Sequence, residues 1–167
     1  TNQVEISLLD LTGFNGRVDA IYFTKNKNDL PPNQLETLDE FRIKKLGLNQ
    51  NPKSSKFDFV VIGGGMAGTC AALSAARLGL KVALIQNRPI LGGNNSSEVR
   101  VHLGARINLE PYPALGNLVN EIGPQRGGNA QPKAYYEDQK KLDAVLNESN
   151  ISLFLNHHAN EVVMQGN

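Results

Sequence analysis

The segment Gly63-Gly64-Gly65-Met66-Ala67-Gly68 carries glycines at 63, 65 and 68 in the spacing G-x-G-x-x-G. That spacing suits the binding of a dinucleotide through its pyrophosphate. The first glycine lets a chain turn tightly out of a strand, and the second lets a pyrophosphate approach a backbone that has no Cβ. The third lets a helix pack closely on a sheet. The phosphates would rest on unpaired N–H groups at a helix start, where the macrodipole favours negative charge. About 20 residues further on, such folds place an acid that accepts hydrogen bonds from the adenosine ribose. Here that position holds Gln86, which keeps a carbonyl acceptor, adds an NH₂ donor and lacks charge. Gln86 alone does not separate FAD from a nicotinamide dinucleotide. Arg100 and His102 are weak catalytic candidates, able to orient a substrate or move protons. The polar face of a short strand is the commoner reason for such a pair. His157 and His158 are adjacent, point to opposite faces of an extended chain and do not easily share a metal. No metal site is expected.

The glycine motif has meaning only with a strand before it, a helix after it and a second strand within about 30 residues. The sequence supplies all three. Residues 57–62 (FDFVVI) form a short apolar run of the kind buried on both faces of a parallel sheet. Residues 66–78 (MAGTCAALSAARL) are an alanine-dominated helix, and Gly79 stands where a helix commonly ends in a left-handed residue. Residues 81–86 (KVALIQ) read as the second strand. Residues 98–103 (EVRVHL) alternate Val99, Val101 and Leu103 with Arg100 and His102, as a strand would. Residues 135–149 read as a helix with Leu142, Val145 and Leu146 on its apolar face. A third buried-type strand follows at 151–155, and a fourth is expected at 161–164. Upstream, residues 4–11 and 18–24 read as a β-hairpin around a turn rich in glycine and asparagine. Leu35, Leu38 and Phe41 then recur at helical spacing up to Gly47. The fold class is therefore α/β, a Rossmann-like parallel sheet built on a βαβ unit. A hairpin and helix from a separate upstream region precede it.

Composition sets outer limits. A formal charge of +1, with 20% charged and 40% apolar residues, gives no electrostatic reason to expect nucleic acid or an anionic membrane as partner. The longest apolar runs fall far short of a membrane span. Cys70 is the sole cysteine, so a disulfide within the chain and a cysteine-built zinc site are both ruled out. Its place in the helix suits a small buried hydrophobe.

The loop Arg88-Pro89-Ile90-Leu91-Gly92-Gly93-Asn94 resembles the one that follows the ribose-binding strand in flavoproteins of the glutathione-reductase-like FAD fold. The run from Val60 to Arg100, most specifically LGGNNSSEVR, resembles the N-terminal segment of the FAD-dependent oxidoreductases widespread in bacteria. More distant likenesses are the fumarate-reductase-type and the tRNA-modifying flavoproteins. The resemblance implies FAD as cofactor, with Gly63, Gly65 and Gly68 at the pyrophosphate and Met66 and Ala67 adding backbone at the helix start. It places Gln86 and Arg88 along the adenosine half, and Gly92, Gly93, Asn94, Ser96 and Ser97 past the pyrophosphate toward the flavin. Ala159 falls where backbone meets adenine. It also implies that residues 57–167 are the incomplete N-terminal part of an FAD-binding domain. Residues 51–56, polar and containing Pro52, read as a linker, and 1–50, with a hairpin that needs a partner, as the tail of an upstream β-domain. On this view the chain is a segment of a larger oxidoreductase, inactive alone, acting on a small molecule of unknown identity. The resemblance points to secreted or periplasmic use, and cytoplasmic use is also compatible. A nicotinamide-binding Rossmann enzyme and a non-catalytic nucleotide-binding module are the alternatives.

Overall fold

The computed structural model describes residues 21–47, 53–104 and 106–165. The chain divides into two compact units, Thr1–Lys53 and Ser54–Asn167. In the first, helix α1 (Leu35–Leu46) is closed by Gly47 in the left-handed conformation, φ 61°, with its N–H donating to Ile43 O. The Tyr22 ring meets Phe41 edge-on at 5.4 Å, and its hydroxyl donates to the Asp29 carboxylate at 2.6 Å. Lys45 bonds the same carboxylate and, with Tyr22, holds it below the usual range. Of the expected hairpin, residues 21–24 form no strand, and the rest lies outside the described residues.

The second unit is a parallel three-stranded sheet in the order β1 (Phe59–Ile62), β2 (Val82–Gln86), β3 (Ile151–Leu155). Phe59 pairs with Val82 and Leu84 with Leu153. Helix α2 (Met66–Arg77) makes the crossover from β1 to β2. Its alanines let the helix lie close to the strands: Ala72, Ala75 and Ala76 are buried with Leu73 against Val61, Val82 and Leu84. Its C-terminus closes with Leu80 N–H donating to Ala75 O and Gly79 N–H to Ala76 O. Gly79 adopts φ 91°, so the left-handed ending expected there is present. Short helix α3 (Gly116–Ile122) and α4 (Asp138–Leu146) complete the layer. The Arg77 guanidinium at the end of α2 forks onto Glu121 of α3 at 2.7 and 2.8 Å and reaches Glu148, just beyond α4, at 2.6 Å.

Four expectations change. β1 is covered at Val61 alone: Val60 (49%) and Ile62 (57%) on the opposite face are exposed, because helices pack on one side of it among the described residues, and Phe59, on the Val61 face, is still half-exposed at the strand's start. Residues 98–103 are not a strand. Arg100 has φ 61°, and the segment folds back on its own loop, with Arg100 N–H donating to Ser96 O and Val101 N–H to Asn94 O. The helix expected from 135 starts at Asp138, after a 3₁₀ turn at Lys133–Tyr136 and a left-handed Glu137. Its apolar face holds Val145, but Leu146 is 61% exposed and Lys141 is buried in its place. Residues 161–164 form no strand and are exposed.

These burials set a contrast that urea denaturation can measure. Leu84→Ala removes a fully buried side chain from the central strand and is expected to cost about 2–5 kcal/mol. Leu146→Ala is expected to stay within about 0.5 kcal/mol of the parent.

Candidate functional site

Strand β1 runs into Gly63, whose N–H still donates across to Ile85 O at 2.8 Å. Its φ of 102° turns the chain out of the strand. Gly65 is the residue before α2, and the first bond of that helix is Thr69 N–H to Gly65 O at 2.8 Å. The N–H groups of Met66, Ala67 and Gly68 therefore have no acceptor within the helix. Gly68 faces back on the turn, where an added Cβ would lie 1.8 Å from Gly63 O. Gly65 differs from both. Its φ of −68° and ψ of 179° suit any residue, and an added Cβ would meet nothing nearer than Gly93 Cα at 4.0 Å. Protein geometry thus demands glycine at 63 and 68 and leaves open space at 65.

A second loop closes over the first. Gly92 N–H donates to Gly64 O at 2.8 Å, and Gly65 and Gly92 form an isolated parallel bridge. Gly92 and Gly93 both have positive φ, 106° and 59°, and a Cβ on Gly93 would lie 3.1 Å from Gly65 Cα. Gln86, buried at the end of β2, ties the two loops together. Its Oε1 accepts the Gly64 N–H at 2.9 Å and its Nε2 donates to Ile90 O at 3.0 Å. The carboxamide expected beside a ribose is thus engaged at both ends within the protein. Ser96 and Ser97 are also buried and turned inward: Ser96 Oγ donates to Gly93 O at 2.6 Å, and Ser97 N–H donates to the Asp138 carboxylate at 3.0 Å. Asn94 is exposed. Arg88 pairs with Glu98 at 3.1 Å across the loop. Ala159 lies four residues beyond β3, after Asn156 N–H and His157 N–H have bonded Arg88 O and Gln86 O.

Arg100 and His102 do not share a strand face. The Arg100 carbonyl accepts the Tyr136 hydroxyl at 2.7 Å and the Ala130 N–H at 2.9 Å, and Arg100 Nε donates to Ser97 O at 3.0 Å. Arg100 and Ala130 both have positive φ, a conformation that costs a non-glycine residue of order 1 kcal/mol or more. The buried Tyr136 side chain holds them. The His102 ring lies between two glycines: a Cβ at Gly104 would be 3.0 Å from Cδ2, and one at Gly127 2.9 Å from Cε1. Gly128 N–H donates to His102 Nδ1 at 3.3 Å, so the neutral ring carries its proton on Nε2.

Sequence patterns left four residues of this region unmarked. Gly64 stands at a variable position of the motif, yet a Cβ there would lie 2.5 Å from Leu91 Cδ2. The run of three glycines was its only signal. Asn95 is buried, donates through Nδ2 to Val101 O at 3.1 Å, and among the described residues has no partner for Oδ1. Asp138 and Lys141 act across more than forty residues of chain. Beside the start of α2 lies an apolar hollow of about 400 Å³, lined by Met66, Ala67, Cys70, Leu103, Leu118 and Val119. Burial pushes the Cys70 thiol up from its ordinary value, away from the reactive thiolate.

Comparison with known proteins adds the family. Residues 58–167 match the family model described as FAD dependent oxidoreductase. The soluble pyridine nucleotide transhydrogenase of Ectopseudomonas mendocina is 44% identical over 66 residues, covering 40% of this chain and 12% of that protein. The tRNA uridine 5-carboxymethylaminomethyl modification enzyme MnmG of Buchnera aphidicola is 30% identical over 117 residues, covering 66% of this chain and 18% of that protein. Among solved structures, an FAD-bound crystal structure of OTEMO aligns at 25% identity and a TM-score of 0.37, over 62% of this chain and 19% of that one. The chain thus spans less than a fifth of the length of each of these proteins.

The Gln86 brace generates a test by urea denaturation. Gln86→Ala leaves the Gly64 N–H and Ile90 carbonyl without their partner and is expected to cost about 1–3 kcal/mol. Gln86→Glu keeps the acceptor for Gly64 but turns a carboxylate oxygen toward the Ile90 carbonyl. Its folded-state pKa would then be raised, so its destabilisation should be absent at low pH and grow as pH rises from the ordinary glutamate range. A pH-independent loss for Gln86→Glu would contradict the brace.

Proposed function

The chain belongs to the FAD dependent oxidoreductase family, matched over residues 58–167, and on that premise we propose that its second unit holds the ADP half of FAD in an enzyme that transfers hydride to or from a small molecule. When bound, the flavin supplies the hydride acceptor or donor. Position and electrostatics come from the protein. The observation that carries the proposal is Gly65, a glycine in an ordinary conformation with open space at its Cβ position. Neither strain nor packing within the protein asks for it, and close approach of a ligand to the backbone does. The geometry around it fits a diphosphate: unbonded N–H groups at the start of a twelve-residue helix, with the glycine loop at 92–93 over them.

In this proposal Gly63 and Gly68 shape the turn, and Gly65, Met66 and Ala67 present main chain to the diphosphate. Gly92, Gly93 and Asn94 border it from the second loop. Gln86, Ser96 and Ser97 act one step back, fixing the loops that make contact, while Arg88 and Ala159 border the adenosine side. Of the two catalytic candidates His102 is the freer. With Nδ1 accepting the Gly128 N–H it keeps Nε2–H for a substrate oxygen, whereas Arg100 is tied to Ser97.

Two substitutions separate the roles of the glycines. Gly65→Ala is expected to leave thermal stability within about a degree or two of the parent, since the added methyl enters open space, and to weaken FAD binding by at least about tenfold. Gly68→Ala is expected to destabilise the fold itself, because its Cβ would drive into Gly63 O. Equal FAD affinity for the parent and Gly65→Ala, measured by quenching of flavin fluorescence, would defeat the proposal.

A further inference from the structure

Lys141 is fully buried, 0% exposed, in the first turn of α4. Its ammonium donates to the Tyr136 carbonyl, and no carboxylate among the described residues forms an ion pair with it. The charged groups that bear on it are Asp138, Glu137 and Lys140, and each is engaged elsewhere. Asp138 accepts the Ser97 N–H, Glu137 accepts the Gln125 N–H at 2.7 Å, and Lys140 donates to Gly123 O at 2.6 Å. A buried ammonium with no carboxylate in ion-pair contact is costly, and the positive end of a helix dipole opposes it further; the charges of Asp138 and Glu137 favour it only from a distance.

The loop above supplies a reason for it to be there. A Cβ on Gly92 would lie 3.0 Å from both Cδ and Cε of Lys141 and 2.4 Å from Asn95 O. The lysine stem is therefore packed directly beneath the glycine loop, which meets it with main chain only. The same loop lies alongside Gly65, through the Gly65–Gly92 bridge and the close Gly93 Cα. We propose that Lys141 is a buried cation complementing the diphosphate of the bound dinucleotide through the floor of the Gly92-Gly93 loop, without touching it. This inference rests on the cofactor site proposed above. Among the described residues no carboxylate makes ion-pair contact with this ammonium, and the ligand brings two further negative charges.

Burial pushes the Lys141 ammonium down from its ordinary value. Binding of a dianion nearby favours the charged form, so dinucleotide binding takes up a proton there. The pH dependences of binding and stability then run in opposite directions. With a folded-state value below the unfolded one, the ligand-free protein gains stability as pH rises between the two. Over the same interval FAD affinity falls.

The test uses the protein stripped of flavin and titrated with FAD between pH 7 and 10, with adenosine as the probe that lacks phosphate. Wild type should lose FAD affinity as pH rises. Lys141→Met should bind FAD about tenfold more weakly at pH 7 with a flat profile, Lys141→Arg should stay close to wild type at pH 7, and adenosine binding should be unchanged. A Lys141→Met protein that keeps both wild-type affinity and the wild-type profile overturns the inference. Should Lys141→Met fail to fold, a flat wild-type profile overturns it on its own and a falling one supports it. Failure of wild type to bind FAD at all overturns the cofactor site itself, a result distinct from a change confined to Lys141.

Discussion

The approach of helix α2 to the end of strand β1 governs the geometry of everything around it. At Gly68 the helix lies so close that a single methyl would enter the Gly63 carbonyl. That closeness brings the start of the helix to the edge of the sheet, and the alanines farther along keep it there, with Ala72 and Ala76 almost wholly removed from solvent. Thr69 reinforces the junction by donating from Oγ to Gly64 O at 3.3 Å. A helix held farther away would leave its first N–H groups in bulk solvent, where water competes for any anion.

The second loop is shaped by contacts from below and behind. Asp138 accepts from Ser97, Lys141 supports Gly92, and Gln86 connects Gly64 with Ile90. Tyr136 extends the same platform, its hydroxyl meeting Arg100, Gly128 and Gln131. Buried polar side chains of this kind are costly when unpaired and specify one arrangement when paired. The backbone angles of Arg100 and Ala130, unfavourable in isolation, persist because this network fixes both ends.

Much of the architecture was legible in the sequence because its signals are local. β2, β3 and α2 follow from short apolar runs and an alanine-rich stretch, and Gly63 and Gly68 from a motif whose spacing has mechanical causes. Three departures share one cause, a partner distant in the chain. Residues 98–103 alternate like a strand, but Arg100 gives its carbonyl to Tyr136 and Ala130 instead of to a neighbouring strand. Leu146 sits at a plausible helical position, yet the tertiary packing covers Lys141. Gln86 looked like a weakened ribose acceptor. Only the positions of Gly64 and Ile90 reveal why an amide, able both to accept and to donate, suits the place.

The exposed side of β1 has a colloidal consequence. β1 pairs with β2 alone among the described residues, so its outer edge offers free main-chain donors and acceptors beside four uncharged, strand-favouring side chains, Phe-Val-Val-Ile. Such an edge is a template on which a second molecule can add a strand. Lys56 and Asp58 stand immediately before it as charged gatekeepers, but Asp58 already accepts the Lys81 N–H at 2.8 Å. A charge introduced at Val60 would make such strand addition less favourable.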